Sequence, residues 1–202
     1  MTSDLNTIVG LYREKVFQIL KVSFILEYLE EYNYEFSVKY REQNASLITV
    51  IESIDFCHTM LLSRIFDEDN KSFSVKNILK KLNKNYNNGV ISEITELELK
   101  GTLKNLSMWR GNVFAHDNFN VSMSSEHYDM YPSHTIDFET LHQYLIDTLI
   151  TYEFDLINND KSVEYLTNVF NEELEAKKKQ WEGDINLVLK FIGNYRVQNL
   201  LK

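Results

Sequence analysis

Apolar residues recur every three or four positions along most of this chain, and this spacing limits its possible folds more than any other feature. From Leu5 to Leu29 they form one stripe at helical spacing. Similar stripes run from Leu47 to Ile65, Val75 to Tyr86, Leu99 to His116, Phe138 to Leu156 and Leu166 to Ile192. Only six glycines and one proline occur in 202 residues, too few for the many turns of a sheet protein. The sequence therefore predicts an all-α helical bundle.

The ends of these stripes predict how the helices are organised. We expect helices to begin near Ser74, Asp137 and Ser162, with a kink at Gly183 in the last one. No repeat or linker interrupts the chain, so residues 1–202 are predicted to form a single domain. A long C-terminal helical extension is expected over about 162–200. An irregular loop over 117–136 follows a helix over about 92–116, and a loop of that length commonly has a function.

Composition points to a cytoplasmic protein. The chain contains no run of about 18 uncharged apolar residues and no secretory signal at its start, so neither a membrane span nor export is expected. The one cysteine, Cys57, lies among apolar neighbours and is predicted to be a small buried hydrophobic residue rather than a nucleophile.

The charge of the chain is unevenly distributed. The net charge is −9, which argues against a general nucleic-acid coat protein. The segment from Lys71 to Arg110, however, contains seven lysines and one arginine but only three glutamates. In this basic segment Lys100 and Lys104 lie four residues apart, on one helical face, and are predicted to bind a polyanionic substrate. The alternative is a solvated surface with no ligand.

Most standard sites are missing from the sequence. It has no glycine-rich phosphate loop, no pair of closely spaced cysteines and no zinc-binding HExxH helix. The loop and its end gather five possible metal ligands, but their spacing matches no standard metal site: Glu126, His127, Asp129, His134 and Asp137. We therefore predict neither a metal nor a cofactor. His58 is expected to be a core or interface residue, and His142 to be exposed.

The segment from Ser107 to Asp117, which reads SMWRGNVFAHD, holds the strongest candidate for a catalytic site. An arginine beside an apolar stripe requires a carboxylate, carbonyl or phosphate partner, because burying it bare is costly. A histidine near a helix end can titrate near neutral pH and reach solvent. Arg110 and His116 are thus suited to phosphodiester chemistry, in which a histidine moves protons and an arginine stabilises phosphoryl charge.

The spacing of Arg110 and His116 resembles the Arg-x(4–6)-His signature of HEPN domains, helical proteins found in many RNA-cleaving toxins and phage-defence systems. A second segment agrees with this. Leu61 to Asp69 reads LLSRIFDED and is followed by a helix opening at Ser72 to Val75. It resembles the "SRLFD…S-L" stretch of the AbiU-like branch of abortive-infection proteins, whose motif also ends in "AH". The resemblance covers residues 40 to 155.

The resemblance implies a metal-independent endoribonuclease. Six residues of helix separate Arg110 and His116 by about 9 Å along the axis, so one pair does not easily bind a single phosphate. HEPN proteins solve this by forming homodimers in which two arginines and two histidines share a cleft. His116 would assist attack by the RNA 2′-hydroxyl, Arg110 would stabilise the phosphoryl charge and Asn112 would position the phosphate. The family also implies a cognate antitoxin or nucleotidyltransferase partner.

Two alternative interpretations remain open. HEPN nucleases commonly carry Asn, Asp or His directly after the arginine, whereas this chain has Gly111, with Asn112 one residue further on. This departure is compatible with a non-catalytic HEPN-like module that binds a partner protein or a nucleotide. The other alternative is a purely structural helical bundle, in which the arginine binds a carboxylate.

Overall fold

Helices account for nearly all of the part of the chain that the structure, a computed structural model, describes: residues 2–40, 44–67, 69, 71–78, 81, 102–107, 137–156 and 161–200. Its four long helices are α1 (Thr2–Tyr40), α2 (Ala45–Ile65), α3 (Phe138–Leu156) and α4 (Val163–Leu200). Shorter helical stretches occupy 75–78 and 102–107. No residue in these described ranges belongs to a strand, and the predicted all-α fold is confirmed.

The apolar stripe of α1 forms one side of the main core. Tyr12, Val16 and Ile19 are almost completely buried, as the helical spacing predicts. They pack in one cluster with α2, α3 and α4, which contribute Leu62, Leu145 and other apolar residues. Helix α1 also extends well beyond the predicted stripe, which ended at Leu29.

Polar side chains fix the starts of the other long helices. The Asn44 side chain accepts a hydrogen bond from the Leu47 amide (3.3 Å) at the start of α2. Asp137 accepts hydrogen bonds from the Thr140 amide (2.9 Å) and hydroxyl (2.6 Å) at the start of α3. Helix α4 begins after Ser162, whose hydroxyl accepts a hydrogen bond from the Tyr165 amide (3.1 Å). The starts predicted near Asp137 and Ser162 are confirmed.

Aromatic contacts set the relative direction of the first and last helices. Phe17 stacks on Phe170 with ring centroids 5.1 Å apart, and Phe24 packs against Trp181 at 5.9 Å. Further along, the Tyr28 hydroxyl donates a hydrogen bond to Asn186 (3.0 Å). Because residue numbers rise together along both helices, α1 and α4 run parallel.

A smaller apolar cluster lies beyond the main core. It joins Leu29 of α1, Leu47 at the start of α2 and Ile185 of α4. The other end of α2 approaches Ile19, since Ile65 lines a pocket with it, so α2 runs antiparallel to α1. Helix α4 continues through Gly183 without interruption, so the kink expected there does not break the helix.

Helix α2 has a composition that a membrane span could also have. Among the described residues, Ala45–Ile65 is the one helix long and apolar enough to cross a bilayer, with a mean hydropathy of 1.4 over its most apolar window. Core helices pass the same test, and Leu47, Leu62 and Ile65 of α2 are all buried against neighbouring helices. Its composition is therefore weak support for a membrane span.

Candidate functional site

Four of the five predicted site residues lie outside the described part of the chain. These are Arg110, Asn112, His116 and Lys100. The fifth, Lys104, lies in the helical stretch 102–107 and is exposed. The candidate site is therefore described from the elements that lead into it.

The helical stretch 102–107 is amphipathic. Leu106 is 1% exposed and belongs to the main core, and Leu103 packs against the same cluster. Lys104 points its ammonium toward solvent on another face. A core-facing leucine and a solvent-facing lysine within one and a half turns are the arrangement that a surface helix requires. This described part of the predicted motif helix thus packs on the core and leaves a cation accessible.

The segment that carries the second resemblance forms the end of α2 and a turn. Ser63 is buried and its hydroxyl donates to the Thr59 carbonyl one helical turn earlier (2.8 Å). Phe66 ends the helix, with its amide bonded to the Leu62 carbonyl (3.1 Å). Asp67 then accepts a hydrogen bond from the Asp69 amide (3.0 Å).

The rest of this turn is fixed by Asp69 and Asn77. The Asp69 carboxylate accepts from the Lys71 amide (2.9 Å), and the Asn77 side chain donates to the backbone carbonyls of Asp69 (2.6 Å) and Ser72 (2.9 Å). After Ser74 the chain turns helical over 75–78, where Val75 and Ile78 enter the main core. The predicted helix start at Ser74 is confirmed, and the segment is an ordered connection to the core.

His58 and His142 form a pair between α2 and α3. Their Nε2 atoms lie 2.9 Å apart, so one imidazole donates its Nε2–H and the other accepts. His58 is 1% exposed and its ring also packs on Phe138, with centroids 4.9 Å apart. The core role predicted for His58 is confirmed. The expected exposure of His142 is wrong, because its ring covers His58 and is itself largely buried.

Burial keeps both imidazoles neutral near pH 7. It lowers the pKa of His58 to about 3, an effect to which the neighbouring His142 adds, and it lowers the pKa of His142 to about 4. A general acid or base works best with a pKa near the operating pH. The pair therefore lacks the titration behaviour of a catalytic histidine at neutral pH and acts as an interhelical contact.

We expect acidification from pH 7 to pH 5 to destabilise the protein through this pair. In the unfolded chain each imidazole titrates near its ordinary value of about 6.5, far above the folded values of about 3 and about 4. Below about pH 6.5 the two imidazoles bind more protons in the unfolded state than in the folded state. As the pH falls, the free energy of unfolding therefore falls by up to about 1.4 kcal/mol per pH unit for each imidazole. The loss ends once the pH passes below the folded values. Urea denaturation at pH 7, 6 and 5 measures it.

A double variant isolates the pair from other titrating groups. His58→Gln with His142→Gln is expected to show a flatter pH dependence over this range. Asp55 and Glu30, whose pKa values burial raises, oppose the histidines in both proteins and so cancel in the comparison. An unchanged slope in the double variant would contradict the assignment.

Arg13 joins three helices through ion pairs, which the sequence did not predict. Its guanidinium binds the carboxylates of Glu153 on α3 and Glu173 on α4. It also lies over the rings of Phe17 (5.4 Å) and Phe170 (5.8 Å). Burial opposes its charge, but the hydrogen bonds to Glu173 and Glu153 outweigh this and raise the pKa of Arg13. The site joins three helices and has no group free to react.

Two further expectations concern reactive and metal-binding groups. Cys57 is exposed, so its predicted burial is wrong: it lies directly before His58, outside the core-facing stripe of α2. No group of three or more His, Cys, Asp or Glu side chains suited to a metal occurs among the described residues. Apart from Asp137, which caps α3, the possible metal ligands of the loop lie outside the described ranges.

Comparison of the chain with protein-family models, with curated proteins and with solved structures finds no match. The functional interpretation therefore depends on the chain's own residues.

Proposed function

We propose that this protein is a metal-independent endoribonuclease of the HEPN type, acting as a homodimer in phage defence or a toxin–antitoxin system. The observation that carries the proposal is the Arg110-x5-His116 motif in an all-helical chain. The segment Leu61 to Asp69, with its resemblance to abortive-infection proteins, adds independent support from a second part of the sequence.

In the proposed reaction the RNA supplies its own nucleophile. His116 takes the proton of a 2′-hydroxyl, whose oxygen attacks the adjacent phosphorus. The bond from phosphorus to the 5′-oxygen breaks, and the leaving oxygen is protonated by the second His116 of the dimer. Arg110 stabilises the negative charge that builds on the phosphoryl oxygens, and Asn112 positions the phosphate. The products carry a 2′,3′-cyclic phosphate and a 5′-hydroxyl, and no metal is required to activate a water molecule.

The described residues near the motif are compatible with this role. Leu106 is buried in the main core, so the part of the predicted motif helix just before Arg110 in the sequence is anchored by packing. Lys104 is exposed two residues earlier and is available to a phosphate. Since affinity for RNA depends strongly on phosphate neutralisation, a basic segment in an otherwise acidic chain favours local binding of the strand.

A second candidate function follows from Gly111. It stands where HEPN nucleases usually carry a polar side chain, which favours a non-catalytic module that binds a partner protein or a nucleotide. A neighbouring gene for a small antitoxin or a nucleotidyltransferase would favour the toxin function.

An assay on purified protein tests the proposed activity. The protein is incubated with tRNA and with messenger RNA in the presence of EDTA, and the fragments are analysed for their terminal groups. We expect cleavage in EDTA that leaves 2′,3′-cyclic phosphate ends. Added magnesium is not required for this cleavage. Full-length RNA at every protein concentration would contradict the enzyme and favour the non-catalytic module.

Reversing the charge of the basic segment is expected to weaken RNA binding. The double substitution Lys100→Glu with Lys104→Glu removes two contacts to phosphate. The slope of the logarithm of the binding constant against the logarithm of the salt concentration should therefore become less steep, by about the contribution of two phosphate contacts. RNA binding is measured at several salt concentrations in the His116→Ala background, in which the RNA stays intact. Lys179→Glu with Lys190→Glu, at two exposed positions of α4, provides a control of equal charge. A salt slope that both pairs leave unchanged would show that Lys100 and Lys104 serve solubility alone.

A further inference from the structure

A pocket of about 230 Å³ lies where α1 and α2 meet the turn that follows α2. Its floor is apolar: Ile19 and Ile65 are 1% and 3% exposed. The turn that forms its rim is the segment after α2 whose hydrogen bonds Asp67, Asp69 and Asn77 fix. The pocket thus has a preformed shape, which lowers the entropic cost of binding a ligand.

Two cations from different helices line this pocket. Lys15 belongs to α1 and Arg64 to the last turn of α2, and both are exposed. Within the described part of the chain, neither forms a salt bridge with a carboxylate, and the Lys15 ammonium donates to the neutral Gln18 amide (2.9 Å). Asp67 also lines the pocket, so the charges of its three charged lining residues sum to +1. The balance favours an anionic ligand.

An aromatic ring stands at the rim of the same pocket. Phe73 is 41% exposed, although it lies between two residues that are partly or fully buried, Ser72 and Ser74. A large ring left in water beside two cations offers a stacking surface for a planar group. Ser72 lines the pocket too and adds a hydroxyl that can bond a sugar or phosphate oxygen.

The volume limits the size of the ligand. A cavity of about 230 Å³ corresponds to about eight water molecules at ~30 Å³ each. This is below the ~300–1,000 Å³ of pockets that enclose a drug-sized ligand. It suits a single planar ring system with one anionic group reaching the rim.

We propose that this pocket binds one nucleotide unit, with its base against Phe73 and its phosphate between Lys15 and Arg64. The nucleotide is either free or part of a single-stranded RNA. None of the residues that line the pocket belongs to the Arg110 and His116 motif, and the proposed binding does not depend on whether that motif cleaves RNA. It gives a ligand role to the arginine in the SRIFD segment, which the proposed cleavage reaction does not use.

Binding measurements on full-length His116→Ala protein test the site without cleavage of the RNA. Isothermal titration calorimetry uses AMP, adenosine, inorganic phosphate and a ten-nucleotide single-stranded RNA as probes. We expect Arg64→Ala and Lys15→Ala each to weaken binding about tenfold or more, because each removes a charged contact to phosphate. Phe73→Leu, which keeps an apolar side chain but removes the ring, should weaken binding severalfold. Lys21→Ala, an exposed lysine of α1 that does not line the pocket, is the matched control and should bind like the parent.

The probes separate the two sources of the nucleotide. Pocket-dependent binding of AMP identifies a free mononucleotide site, whereas pocket-dependent binding of the RNA alone identifies a subsite for an RNA strand. If inorganic phosphate binds as tightly as AMP and Phe73→Leu has no effect, the pocket holds a simple anion and the proposal is wrong. Affinities that none of the three pocket substitutions changes would overturn it as well. Circular dichroism confirms that each variant is folded, and Arg64→Gln replaces Arg64→Ala if the alanine variant is not.

Discussion

Replacing His116 with alanine is expected to slow RNA cleavage by about 10²- to 10⁴-fold, the usual contribution of a positioned acid or base. Arg110→Ala is expected to have a comparably large effect, because it removes the charge that stabilises the phosphoryl oxygens in the transition state. Growth toxicity should disappear with the activity. Cleavage rates on a labelled RNA, measured with folded and dimeric variants, check both expectations.

Matched controls separate a catalytic role from a general loss of positive charge or structure. Lys21→Ala, which removes a positive charge at an exposed position of α1, should retain full activity. Thermal unfolding distinguishes a further alternative for Arg110, since an arginine that binds a buried carboxylate would lower stability by a few kcal/mol when removed. A folded, dimeric His116→Ala protein with full activity would remove His116 from the mechanism.

Phe170→Ala is expected to destabilise the fold by about 3–5 kcal/mol, the usual cost of removing a buried aromatic ring. Phe170 is fully buried, stacks on Phe17 and lies beneath the Arg13 guanidinium. Its loss would therefore leave a cavity between α1 and α4 and weaken the packing around Arg13. Because native domains are stable by only about 5–15 kcal/mol, the effect should be evident in urea denaturation.

The neighbouring residue provides the control for this substitution. Val169 precedes Phe170 on α4 and is 39% exposed, so Val169→Ala should change stability by about 0.5 kcal/mol or less. Equal effects of the two substitutions would contradict the packing of α4 on α1. Loss of stability at Phe170 alone would support the packing of α4 on α1.

The fold class and most helix starts were predictable because both depend on local sequence. Burial of one face repeats every three to four residues in a helix, which is why the stripe containing Tyr12, Val16 and Ile19 identified α1. The starts of α3 and α4 followed from Asp137 and Ser162, whose short polar side chains satisfy the free amides of a first turn.

Periodicity places a residue only to within about one position, which limits how well it predicts burial. Adjacent helical residues point about 100° apart. In α2, Leu61 is partly buried and packs against the main core, while its neighbour Leu62 is fully buried. In α4 the stripe included Val188, which is 58% exposed, while its neighbour Leu189 packs on the smaller apolar cluster. The apolar neighbours of Cys57 predicted its burial, but Cys57 is exposed and the next residue, His58, is the buried one.

Contacts between distant residues were not predictable from a single sequence. Arg13 binds Glu153 and Glu173, which are 140 and 160 residues away in the chain. The partnership of His58 with His142 spans 84 residues. Neither pair shares a local motif, because tertiary packing alone brings them together. The candidate motif differs in kind, since Arg110 and His116 are near neighbours and their spacing itself is the signal.

The most direct test of the proposed reaction removes a single oxygen atom, that of one 2′-hydroxyl, from the substrate. Once a cleavage position has been mapped, an RNA is made with 2′-deoxyribose at the nucleotide 5′ to the scissile phosphate only, and its cleavage is followed in EDTA. Because the 2′-hydroxyl is the proposed nucleophile, we predict that cleavage at this position stops while that at unmodified positions continues. Cleavage of the deoxy position at the rate of the unmodified RNA would show that the 2′-hydroxyl is not the nucleophile and would contradict the mechanism proposed for Arg110 and His116.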